Sequence, residues 1–450
     1  MKNSATWLLL ISLMLTALVA PSFGQSPLKK RPKLKDFGSS LERLQWDAIK
    51  KQSVDSKPRK KASGGADEDV IQTETDLVTS DLLVVDGKGK LVSNLTAADF
   101  VIIEDGRPQE VAHFERGDNA SVPRTIVLII DYGCTQLPVL RRSIDAAKLL
   151  VGKLGPLDKM AIVTDDVELI SDFTNDKKKL QKKLEAVYKK PNTAFDPTVV
   201  HNWHTWGKGL QYSALMAVLK EAFIEEDLRP IIIFQTDGSQ VYGLRDPVVP
   251  EALPPDLADD FRAEQLKEIS RKIKYRHEHR ISDFSLDDVY RAVEKSRATI
   301  YTVVPEYRFL NRSLDQQVNL IKLRMNNGYL RSVSGEQPWV QQQARARLEV
   351  WRPTSEANLV WWAQQQEKSQ DALAGVAARS GGWTEFLETP EDADGIYSRI
   401  LADINHRYLV GYYPKNKLRD GARRRVKFEV RNHPEYHVLG RKSYYAPGPQ

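Results

Sequence analysis

The sequence predicts an α/β protein built on a doubly wound, mostly parallel sheet, with an accessory β module formed by N- and C-terminal hairpins. Three observations carry that expectation. The all-apolar runs "TIVLIID" (125–131), "RPIIIFQTDG" (229–238) and "ATIYTVVP" (298–305) have the continuous hydrophobicity of strands buried on both faces. Segments with apolar residues at helical spacing lie between them, and alternation of strand and helix yields a parallel sheet covered by helices. Towards both ends of the chain, shorter apolar runs broken by Asp-Gly pairs have the pattern of antiparallel hairpins.

Composition narrows the function. The chain has 450 residues, 41% hydrophobic and 28% charged, which suits two or three globular domains. A net charge of +6 is too slight for a nucleic-acid binder, which needs a concentrated basic stripe. Residues 1–24 read as a signal peptide: Lys2, the apolar stretch "WLLLISLMLTALVA", then "PSFGQ", with Ser22 and Gly24 as the small residues preceding cleavage. The apolar core is shorter than a spanning helix needs, and no cysteine directly follows it to carry a lipid. No later stretch is apolar enough to cross a bilayer, so the mature chain is expected to be secreted or periplasmic, without a transmembrane span. Cys134 is the sole cysteine, so no intramolecular disulfide can form.

The elements follow in order. Residues 25–70 are rich in Lys, Arg, Ser, Gly and Pro and read as a disordered basic tether, with a short helix over 40–51. Its charge implies weak attraction to anionic envelope surfaces. Residues 71–118 form a small β module, with hairpins in "LLVVDGKGKLV" and "FVIIEDGRPQEVAHFE", that needs a partner to be stable. Residues 122–305 hold the first part of the α/β domain. Within it, "KMAIVTD" and "ELISDF" are so close that they must be antiparallel neighbours. "NDKKKLQKKLEAVYK" is a surface helix with Leu180, Leu184 and Val187 inward, and Ser285 with Asp288 caps the helix "DDVYRAVEKS". Residues 306–369 form a mainly helical insertion, and 370–405 complete the α/β domain. Residues 406–450 supply a C-terminal hairpin and tail, with "RYLVGYYP" and "RRVKFEVR" joined across Asp420-Gly421, expected to share one sheet with the 71–118 module.

Two buried strands end in an acid, at Asp131 and Asp237. In a doubly wound sheet, ligands bind at the carboxyl ends of strands where the winding reverses. The order strand–Asp, helix, antiparallel pair, helix, strand–"TDG" resembles the von Willebrand factor A domain. The flanks, "LLVVDGKGKLVSNLTAADFVIIEDGRPQEVAHFERGD" and "RYLVGYYP…GRKSYYAP", resemble those of exported bacterial members abundant in Acidobacteria. That resemblance implies a metal-ion-dependent adhesion site with an Asp-x-Ser-x-Ser loop, a Thr from a later loop and a final Asp. Asp131 and Asp237 match its two acids, and Thr135 keeps a hydroxyl where the second Ser is expected. Gly133 replaces the first Ser. Gly209 stands where the loop Thr is expected, with Thr205 as a substitute. The site is thus degenerate, with Asp131, Thr135 and Asp237 as the surviving candidates for Mg²⁺ or Mn²⁺. Without metal, the two acids would accept hydrogen bonds from loop amides.

The reading that follows is an exported, non-enzymatic protein-binding protein of the adhesion type. Its candidate partner-binding residues are Tyr132, Gly133, Trp203, Thr205, Trp206 and Gly209, and its partner is an extracytoplasmic protein. A structural role in cell-envelope assembly is the alternative. A third reading, an exported metal-dependent hydrolase, would use His201, His204 and Asp237, but no further zinc ligand has clear spacing. "RHEHR" (276–280) reads as a solvated helix face. The Asp pairs at 165–166, 259–260 and 287–288 lie in different local contexts, with nothing in the sequence to bring them together.

Overall fold

The computed structural model describes residues 33–56, 77–118, 123–132, 137–189, 210–224, 227, 229–245, 282–323, 338, 341–342 and 356–448. The expected signal peptide, the remainder of the 25–70 segment, "RHEHR" and most of the predicted insertion lie outside these residues. Leu34–Gln450 form one compact unit.

The N-terminal segment corrects an expectation. Residues 40–51 contain no α-helix. A 3-10 turn (Leu41–Arg43) leads into an antiparallel pair, β1 (Leu44–Asp47) and β2 (Gln52–Asp55). Residues 33–56 are not a loose tether either, because they are fixed to the α/β domain. Leu44 is buried in its core. The Glu221 carboxylate accepts the backbone N–H groups of Gly38 (2.9 Å) and Ser40 (2.8 Å), and Asp288 accepts that of Ser53 (2.9 Å). Charged composition concealed this, because the anchoring acceptors lie far along the chain.

β3 (Val78–Val85), β4 (Phe100–Glu104), β5 (Arg107–Gln109) and β6 (His113–Arg116) form the first part of the accessory module. β4 and β5 make the expected hairpin across Asp105-Gly106. The turn after β3 closes with a single bridge, Val85 to Leu91, rather than a second strand.

The α/β domain then alternates as expected: β7 (Arg124–Ile130), α1 (Leu137–Gly152), β8 (Lys159–Thr164), β9 (Leu169–Thr174), α2 (Lys177–Lys189), α3 (Gln211–Glu221) and β10 (Arg229–Gln235). α4 (Leu286–Lys295) opens on the capping box of Ser285 and Asp288. β11 (Thr299–Val304), α5 (Leu314–Leu323), α6 (Glu356–Ser380), β12 (Thr384–Phe386) and α7 (Ala393–His406) complete it. α6 runs unbroken through residue 369, so the expected end of the insertion falls inside one helix. No proline interrupts that stretch, and Leu359 and Ala363 pack with Phe309 and Val318 of the α5 region.

The sheet order is β12-β11-β10-β7-β8-β9, parallel except for β9. The element order on which the family resemblance rests is therefore realised. Alternation along β7 serves two cores: Ile126, Leu128 and Ile130 face α1, α2 and α7, whereas Val127 and Ile129 face α3, α4 and α6. That two-sided burial explains the unbroken apolar runs.

β13 (Tyr408–Tyr412), β14 (Arg423–Val430), β15 (His437–Leu439) and β16 (Ser443–Tyr445) join the N-terminal module. The pairing of N- and C-terminal segments is as expected, with a different arrangement. β13 and β14 do not form a hairpin. β13 lies between β3 and β6, whereas β14 lies between β16 and β4. The result is two four-stranded sheets instead of one, sharing a core that includes Leu82, Phe100, Ile102, Val410 and Phe428. β14 alternates exposed and buried residues because one face meets water and the other the opposite sheet.

Candidate functional site

β7 and β10 are parallel neighbours in register, Ile130 beside Gln235. The chain leaves β7 towards β8 on one side and reaches β10 on the other, so the winding reverses between them. This is the switch point at which a doubly wound sheet opens a crevice at its carboxyl edge. The backbone N–H of Asp131 donates to the carbonyl of Gln235 (3.0 Å), continuing the ladder and setting Asp131 beside Thr236. The two predicted acids are therefore on adjacent strand ends, as the sequence suggested.

The Asp131 carboxylate is buried (1% exposed), and donors of the protein satisfy one of its oxygens. Oδ2 accepts from Gln211 Nε2 (3.2 Å) and from Thr236 Oγ1 (2.9 Å). Gln211 is the first residue of α3, whose dense apolar packing holds it at the sheet edge. The orientation of its amide is set by a neighbour: the backbone N–H of Gln240 donates to Gln211 Oε1 (3.1 Å), which requires oxygen there and directs the NH₂ group to Asp131. The same NH₂ group lies 3.2 Å from Ser239 Oγ. Gln240 in turn accepts the backbone N–H of Ser213 (3.0 Å) and donates to Ser213 Oγ (2.8 Å), which satisfies an otherwise orphan donor of the first turn of α3. Thr236 Oγ1 accepts the N–H of Gly238 (3.0 Å), leaving its own hydrogen for Asp131.

Asp237 is less enclosed. Its Oδ1 accepts the N–H of Ser239 (2.9 Å), and its carbonyl accepts from Ser369 Oγ of α6 (2.7 Å). Gly238 follows at φ +69°, and a Cβ there would sit 2.9 Å from Leu373, so the loop requires glycine. The α6 helix thus packs directly on the Asp237 loop.

A third acid, Asp165 at the end of β8, joins them, a neighbour that nothing in the sequence assigned to them. Its N–H donates to the Ile130 carbonyl (3.1 Å), and its Oδ1 accepts the N–H of Tyr132 (3.2 Å). Burial, reinforced by the charge of Asp131, pushes its pKa well above the usual carboxylate range. Asp166 takes the Tyr132 hydroxyl (2.6 Å) and the Thr164 hydroxyl. Tyr132 was expected as a recognition aromatic. It is instead 8% exposed, its ring in the core with Leu140 and Ile144 and its hydroxyl on the exposed Asp166 carboxylate. Gly133, Cys134, Thr135, His201, Trp203, His204, Thr205, Trp206 and Gly209 lie outside the described residues.

The described residues do not fit Mg²⁺ or Mn²⁺. Such a cation needs oxygen lone pairs converging on it, whereas Gln211 and Thr236 direct hydrogens at Asp131. Among the described residues no group of three or more His, Cys, Asp or Glu side chains is arranged to hold a metal. Gln211 was missed from sequence, although a polar residue opening an otherwise buried helix ("LQYSALMAVL") was the available signal.

A scan against protein-family models finds no match, and comparison with curated proteins finds none either. Comparison with solved structures gives low-scoring likenesses, among them the following three. The three N-terminal domains of the type V pili tip protein Mfa5 from Porphyromonas gingivalis are 20% identical over 36% of this chain, TM-score 0.20. This chain spans 26% of that one. The von Willebrand factor domain of Mfa5 is 12% identical over 63% of this chain and 95% of its own, TM-score 0.29. The conserved hypothetical protein BatB from Bacteroides thetaiotaomicron is 11% identical over 62% of this chain and 98% of its own, TM-score 0.25. Likeness at this level assigns neither ligand nor partner to the chain.

Proposed function

We propose that this chain is an exported, non-enzymatic protein-binding protein of the von Willebrand factor A type. It recognises an extracytoplasmic protein through the loops at the carboxyl edge of β7 and β10, and it does so without a bound cation. One observation carries the reading: Gln211 supplies to Asp131 the positive hydrogen-bonding partner that a metal would otherwise provide, and ties Asp131, Ser239 and Gln240 into one cross-linked edge. Buried carboxylates are costly unless paired or hydrogen-bonded, and this arrangement supplies the hydrogen bonds from within the fold. The signal-peptide pattern read in residues 1–24 supports an extracytoplasmic partner. Among the described residues no helix is long and apolar enough to cross a membrane.

The test is capture of envelope proteins by the immobilised full chain, with and without EDTA, for wild type and Gln211→Ala. Capture should be indifferent to EDTA and weakened by the substitution. Loss of capture on chelation, or full capture by Gln211→Ala, would refute the cation-free edge. Gln211→Ala should also lower stability by about 1.5–3 kcal/mol, the range for a hydrogen bond to a charged group.

A further inference from the structure

α1 and α2 lie side by side on one face of the sheet, tied at the end of α1. Lys177 Nζ donates to the Gly152 carbonyl (2.8 Å), Gln181 Nε2 to that of Lys148 (3.5 Å) and Asn175 Nδ2 to that of Pro156 (3.4 Å). The last turns of α1 and the loop after it therefore border the first turns of α2. α2 buries Leu180, Leu184 and Val187 and turns Lys178, Lys179, Lys182 and Lys183 to solvent. Arg142 and Lys153 add two exposed cations from α1 and its end.

Of the nearby carboxylates, Asp145 and Glu185 pair with Arg141 and Lys148, and Asp176 accepts the backbone N–H of Lys179. Among the described residues, none of the six exposed cations has an ion-pair partner. Two leucines stand in the same region with much of their surface in water, Leu149 at 54% exposed and Leu157 at 40%.

Unpaired lysines beside exposed leucines are the composition of a surface that lies in a lipid headgroup region, apolar side chains down and ammonium groups at the phosphates. From this juxtaposition we infer that the α1–α2 face docks peripherally on an anionic phospholipid bilayer. A polyanionic polysaccharide would match the lysines and leave both leucines in water. A bilayer accommodates both. The carboxyl end of β7 feeds the start of α1, so the end of α1 and the start of α2 lie at the opposite edge, where β9 ends and β8 begins. This inference does not rest on the proposed protein partner, and its test needs none.

The test is co-sedimentation of the full chain with vesicles of phosphatidylcholine alone and of phosphatidylcholine with phosphatidylglycerol. Binding should require phosphatidylglycerol and weaken as salt rises. At roughly 1 kcal/mol per basic residue near such a surface, the fourfold variant Lys178→Gln, Lys179→Gln, Lys182→Gln and Lys183→Gln should lose about 100-fold or more in affinity. Leu149→Ser with Leu157→Ser should lose about tenfold and keep its salt dependence. All these side chains are exposed, so the thermal midpoint should be unchanged in both. The inference is overturned if the lysine variant binds like wild type, which would place the attraction in the 25–70 segment. It is equally overturned by tight binding to phosphatidylcholine alone, or by binding to dextran sulfate but not to the anionic vesicles.

Discussion

Asp131 and Asp165 are buried carboxylates on adjacent strand ends, and only Asp131 has both an amide and a hydroxyl side chain donating to it. Asp165 receives one backbone N–H and shares the field of Asp131, so its proton is held more tightly in the folded chain than in the unfolded one. The linkage sign follows. A carboxyl with a raised folded pKa supports stability most at pH below its unfolded value. That support falls as pH rises from the usual carboxylate range through the raised folded value. Asp165→Asn keeps an oxygen for the Tyr132 N–H and removes the ionisation. The variant should therefore melt above wild type at neutral pH, with a gap that shrinks on acidification towards the ordinary carboxylate pKa. A variant melting below wild type at neutral pH would contradict this account.

At the scale of elements, burial decides what a charged sequence conceals. β1 and β2 belong to the α/β domain because Leu44 enters the core that holds Phe234 and Val289. Leu44→Ala should cost about 2–5 kcal/mol in chemical denaturation, as for other buried leucines; a cost near zero would make the segment a loose tether after all. The strands at 125–131, 229–238 and 298–305 were legible because two-sided burial writes a continuous apolar run. The antiparallel β8–β9 pair was legible because its connection is too short for anything else. The assignment of β13 and β14 to separate sheets was not. Both alternate like hairpin strands, and which sheet each joins depends on neighbours far away in sequence. At the site, strand ends fixed the places of Asp131 and Asp237. Gln211 and Asp165 stayed hidden because their roles come from a helix start and a strand end that only the folded sheet brings together.

At the scale of the whole molecule, buried ion pairs fasten the accessory sheets to the α/β domain. Arg229 of β10 pairs with Asp81 of β3 (3.1 Å) and donates to the Ile404 carbonyl (2.8 Å). The buried Arg407 pairs with Asp403 (3.0 Å) and donates to the Asp81 carbonyl (2.9 Å). Removing one partner leaves a buried charge uncompensated, so Asp81→Ala should cost about 3–5 kcal/mol. Because the sheets and the domain share this junction, wild type should unfold in one calorimetric transition; two separated transitions would show that the junction couples them weakly.

The claim that the carboxyl edge of β7 and β10 works without a cation is tested most directly by calorimetric titration of Mn²⁺ into wild type and Asp131→Ala. The same flat trace is expected for both. A binding heat in wild type that disappears in Asp131→Ala would contradict it.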